Sequence, residues 1–81
     1  KIIARIRRLK GQIEGIERAL EAEKPCIEVL RQLASARGAM NGLTIQMMED
    51  HLHEHVLHVT DEAERHEGGE ELVEIMRTYL K

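Results

Sequence analysis

The chain has 81 residues, which bounds it to a single domain, here residues 1–81. Apolar residues make up 42% and charged residues 33%, with no Phe or Trp and one Tyr, so a globular fold with an aliphatic core is expected. One Cys excludes an internal disulfide scaffold, no apolar run approaches a membrane span, and no signal-peptide pattern is present; together these set a cytoplasmic expectation with no membrane partner. A first residue other than Met points to a chain trimmed at its start.

The net charge of −3 is unevenly distributed. Residues 1–10 carry Lys1, Arg5, Arg7, Arg8 and Lys10 and no acid. The other 71 residues carry seven basic and fifteen acidic side chains. A segment this basic is suited to nucleic acid if it is displayed on a surface and repeated by oligomerisation.

The first predicted helix spans about Lys1 to Glu23. Ile2, Ile6, Leu9, Ile13, Ile16 and Leu20 recur every three or four residues, an apolar helical stripe. Gly11 and Gly15 are expected where another helix comes close, and Lys24-Pro25 ends the helix. The second starts at Pro25 and holds its periodicity through Leu30, Leu33, Arg37, Met40, Thr44, Met47, His51, His55 and His58. That is about 30 residues and roughly 45 Å. Ser35, Gly38, Asn41 and Gly42 at its middle mark either close helix contact or a weak point. Glu67-Gly68-Gly69-Glu70 is expected to be a linker. The third predicted helix runs from about Glu70 to Leu80, with Leu72, Val73, Met76, Tyr79 and Leu80 on one face.

So long a helix cannot bury its seam against two shorter ones of the same chain. An antiparallel pairing of long helices into a four-helix-bundle oligomer is therefore expected.

Four of the five histidines lie within eight residues, His51, His53, His55 and His58. On a helix His51 and His55 share a face, as do His55 and His58, and an i, i+4 pair can offer two imidazoles to one metal ion. His53 points elsewhere. The only thiol is Cys26. It lies 25 residues before His51 in one helix, about 37 Å by rise, so the two cannot share an ion within one chain. In an antiparallel dimer the Cys26 end of one helix lies beside the His51 end of its partner, and the expected site is intersubunit. The rival readings are a solvated histidine face and a cysteine acting as a small hydrophobe. No phosphate loop or deep pocket is expected, so the chain is not read as an enzyme.

The stretches Arg5-Ile6-Arg7-Arg8-Leu9-Lys10-Gly11-Gln12, Cys26, Arg37-Gly38-Ala39-Met40-Asn41-Gly42-Leu43 and His51-Leu52-His53-Glu54-His55 together resemble the CsoR/RcnR family of metal- or aldehyde-responsive transcriptional repressors. The resemblance covers nearly the whole chain. It implies an all-α, three-helix protomer, an antiparallel four-helix-bundle dimer and a dimer-of-dimers tetramer. It implies that operator DNA is bound without a helix-turn-helix and released by an inducer. Cys26, His51 and His55 match the inducer positions, with His58, His53 and Glu54 as accessory candidates. Arg5, Arg7, Arg8, Lys10 and Arg37 match the DNA-associated basic positions. A Cys-His-His set suits Ni(II) or Co(II), with Zn(II) and Cu(I) as alternatives. In this the set resembles the nickel/cobalt (RcnR) branch. The formaldehyde-responsive (FrmR) branch shares Cys26 and His51 but usually lacks a histidine at the position of His55. Each branch uses a further group, a histidine or an amine, that falls before Lys1. A metal-buffering bundle without a DNA role is the remaining alternative.

Overall fold

The computed structural model describes all 81 residues and is all-helical. Helix α1 spans Ile2–Glu21, α2 spans Cys26–Leu52 and α3 spans Glu62–Tyr79, and a five-residue π-turn, His53–Leu57, continues from the end of α2. No helix is long and apolar enough to cross a membrane. The chain divides into two compact units, residues 1–44 and 45–81.

In the first unit, α1 ends before the Pro. The N–H of Lys24 donates to the carbonyl of Ala19 (2.9 Å) and that of Glu23 to Leu20 (3.1 Å). This is a Schellman closure of the last turn. It places Glu23 in the left-handed region, φ 53°, where glycine is the usual occupant. Pro25 then serves as the start of α2, its carbonyl accepting from the N–H groups of Glu28 and Val29.

The core of this unit is Ile16, Ala19 and Val29, with Ala36 packed against it, and Leu9 is also buried. Only part of the α1 stripe is covered: Ile13 is 53% and Leu20 60% exposed. Across the chain four apolar residues are buried while sixteen large ones are exposed. The mid-helix glycines of α1 and α2 do not receive a neighbouring backbone. A Cβ built on Gly11, Gly38 or Gly42 meets nothing within 4 Å, and one on Gly15 meets only the Arg18 side chain. Close helix approach at these glycines, expected for Gly11 and Gly15 and one of the two explanations offered for Gly38 and Gly42, does not occur within the chain.

In the second unit the expected linker is absent. Helix α3 begins at Glu62, eight residues earlier than the glycine pair suggests, and runs through Gly68-Gly69. The break falls instead between the π-turn and Asp61, whose side chain accepts from the Glu64 N–H at 2.9 Å and caps α3. Gly68 is the buried residue of α3. It lies against the His55 backbone so closely that a Cβ there would collide with the His55 carbonyl. Gly68 therefore works as a packing residue within the helix, and its packing outweighs the roughly 1 kcal/mol helix penalty of a glycine there, whereas a Cβ on Gly69 would meet nothing within 4 Å. An apolar cleft of about 330 Å³ is lined by Ile45, Met48, Leu52, Leu72, Met76 and Tyr79, among others.

Candidate metal centre and basic surface

The penultimate residue of α2 is His51, half-buried and one turn before His55. Their ring centres are 4.7 Å apart. Two imidazoles bound to one ion at about 2.0–2.1 Å put their ring centres roughly 4.5–5.2 Å apart for ligand angles of about 90–109°. The observed ring-centre separation falls within that range.

His51 is held from behind. Its Nε2 lies 3.0 Å from the Gly68 carbonyl oxygen and 3.7 Å from Glu71 Oε1. A carbonyl can only accept, so Nε2 donates, and in the neutral ring the lone pair is then on Nδ1. A ligating histidine is commonly oriented in this way, by a carbonyl or carboxylate on its other nitrogen. His55 is exposed, with its Nε2 4.0 Å from Glu54 Oε2.

The remaining candidates separate. Sequence periodicity puts His58 one turn beyond His55 on the same face. The π-turn alters that register, and the His58 ring instead lies against His53, centres 5.5 Å apart. Cys26 is an exposed free thiol and the first residue of α2, at the opposite end of that helix from His51. No three His, Cys, Asp or Glu side chains converge to hold a metal ion within one chain. Two imidazoles are present as a preformed pair, and any third protein ligand must come from elsewhere.

The basic residues Arg5, Arg7, Arg8 and Lys10 are all exposed on α1, and Arg37 is exposed on α2. Arg5 and Arg8 line a cleft with Leu9, Gly38, Ala39 and Gly42, and Arg5 Nη1 reaches the Gly42 carbonyl at 3.5 Å. Absence of a side chain at Gly38 and Gly42 leaves this cleft open. Gln12 Nε2 donates to Ser35 Oγ at 3.4 Å, a second polar tie between α1 and α2.

Two residues that support His51, Gly68 and Glu71, carry no signal in the sequence. Gly68 was hidden by its own type, since paired glycines signal a break. Glu71 is one of fifteen acids, and nothing in the spacing singles it out.

Residues 1–78 match the family model for a metal-sensitive transcriptional repressor. An uncharacterised protein of the bioA 5′ region of Serratia marcescens is 44% identical over the whole chain and 90% of its own length. The transcriptional repressor RcnR of Salmonella paratyphi B is 36% identical over the whole chain and 90% of its own length. Among solved structures, a Glu-to-His variant of the formaldehyde-responsive regulator FrmR from Salmonella enterica serovar Typhimurium superposes with a TM-score of 0.88. It is 42% identical, over 96% of this chain and 89% of that one.

Proposed function

The chain belongs to the metal-sensitive transcriptional repressor family, which is not a family of enzymes, and we propose that it is a cytoplasmic, homotetrameric repressor that binds operator DNA in its metal-free form. Cys26 of one protomer and His51 and His55 of its partner would hold the inducing ion, and holding it would release the DNA. The observation that carries this reading is the His51–His55 pair, at ligand spacing and with His51 Nε2 tied to Gly68.

Three further features support it. Sixteen exposed large apolar side chains on so small a chain call for association. An antiparallel arrangement would bring Cys26 to the histidine end of a partner helix. The exposed basic residues, repeated in each protomer, supply phosphate contacts. The two imidazoles make the donor set nitrogen-rich, which favours Ni(II) or Co(II), with Zn(II) next and Cu(I) less suited. Effector and DNA then oppose each other reciprocally, typically by about 1–3 kcal/mol.

A second reading has its own support. Cys26 is exposed, and the FrmR structure matches closely. The Cys26 thiolate would then respond to formaldehyde without metal. Gel shifts on operator DNA at two salt concentrations decide among the readings. Release by Ni(II) or Co(II), lost in His55→Ala, supports the metal sensor. Release by formaldehyde in metal-free buffer supports the aldehyde sensor. Absence of any salt-sensitive DNA binding would leave a metal-buffering bundle and overturn both.

A further inference from the structure

The histidine-rich turn carries four imidazoles, and the centre described above uses two. His53 and His58 remain, both exposed. On a regular α-helix residues five apart are rotated by about 140° and do not meet. The π-turn changes this. The His58 N–H donates to the His53 carbonyl at 3.0 Å, the i to i+5 bond of a π-helix. The same bond brings the two rings together, centres 5.5 Å apart and planes inclined by 39°. That separation is within a few tenths of an ångström of the roughly 5.2 Å set by two imidazoles on one tetrahedral ion, a gap that a small side-chain rotation closes. His51 and His55 each have a polar partner on Nε2, whereas the neighbour of each ring here is the other ring.

We propose that His53 and His58 form a second metal site, complete within one protomer, for a divalent late first-row transition ion such as Ni(II), Cu(II) or Zn(II). Water fills the remaining positions. Two imidazoles without a thiolate make this the weaker of the two sites, so it loads after the intersubunit centre. It is separate from that centre, since no three ligating side chains converge on one point. The π-turn is what creates it: a continuous α-helix would leave His53 and His58 on different faces.

The probe is Ni(II), which broadens the imidazole resonances of its ligands. In the variant Cys26→Ala/His51→Ala/His55→Ala, every proposed ligand of the other centre is gone from every chain. Expected is uptake of one Ni(II) per chain, with broadening of His53 and His58 ahead of His66. Adding His53→Ala or His58→Ala should weaken that uptake about tenfold or more, because the second ligand no longer acts intramolecularly. Unchanged uptake after either substitution, or broadening of His66 alone, overturns the proposal. The unsubstituted protein gives an independent reading if the triple variant is misfolded by circular dichroism. After the first equivalent has saturated the thiolate-to-metal absorption, further Ni(II) should broaden His53 and His58. If it broadens neither, the second site does not exist.

Discussion

The His51 imidazole donates through Nε2 to the carbonyl oxygen of Gly68, 3.0 Å away and seventeen residues later in the chain. Gly68 itself packs against the His55 backbone. One glycine of α3 thus orients the first histidine of the pair and buttresses the second. The missing Cβ is what permits the approach.

Gly68→Ala should therefore separate α3 from the π-turn and loosen His51. We expect metal affinity to fall roughly 10- to 100-fold, as for removal of an orienting partner, and stability to fall by about 1–3 kcal/mol. Gly69 is the internal control. A Cβ there meets nothing within 4 Å, and its φ is not positive. Gly69→Ala should leave metal affinity unchanged and stabilise α3 by up to about 1 kcal/mol. Nickel titrations and urea melts of the two variants check this. Equal behaviour of the pair would contradict the packing role assigned to Gly68.

Glu23 holds the left-handed position that closes α1. For a residue with a Cβ this costs about 1–2 kcal/mol, part of which glycine gives back through its freer unfolded chain. Glu23→Gly is expected to stabilise the protein by about 0.5–1 kcal/mol. Urea midpoints at matched protein concentration are the measurement, since association contributes to stability. A lower midpoint would show that the Glu23 side chain contributes more than its backbone strain costs.

The helical content was legible from apolar spacing alone, because α1 and α2 keep a three-four rhythm for many turns. The boundary of α3 was not. Glycine pairs break helices on average, and only the tertiary packing of Gly68 on the His55 backbone reverses that preference here. The His51–His55 pair followed from i, i+4 spacing. The pairing of His53 with His58 did not, because it depends on a local change from i+4 to i+5 hydrogen bonding. Periodicity assumes a constant helical pitch and cannot register such a change. Both Gly68 and Glu71 reach His51 through the α3 packing, which spacing along the chain does not encode.

Arg7 is exposed on α1 and is not among the ligands of the proposed metal centre. Arg7→Ala is expected to weaken operator binding and flatten its salt dependence. Each phosphate that is no longer neutralised should reduce the slope of log K against log salt by about 0.9. Nickel affinity in the absence of DNA should not change. Arg5→Ala should behave likewise, and it also removes the reach to the Gly42 carbonyl. An unchanged salt slope in both variants would remove the α1 segment from the DNA interface.

In the proposed centre one ion is held by two protomers, by Cys26 at the first residue of α2 in one and His51 at the penultimate residue of α2 in the other. Co-refolding Cys26→Ala with His51→Ala distinguishes such a centre from one within a single chain. Each variant alone lacks one ligand type at every site. A mixed antiparallel dimer contains one site with both ligands and one with neither. Random pairing makes about half the dimers mixed, so about a quarter of all sites should recover thiolate-to-metal absorption on Co(II) addition. A site within a single chain would recover none. No recovery, with subunit exchange confirmed by mass spectrometry of the mixed dimer, would contradict the intersubunit centre and the DNA-release mechanism that depends on it.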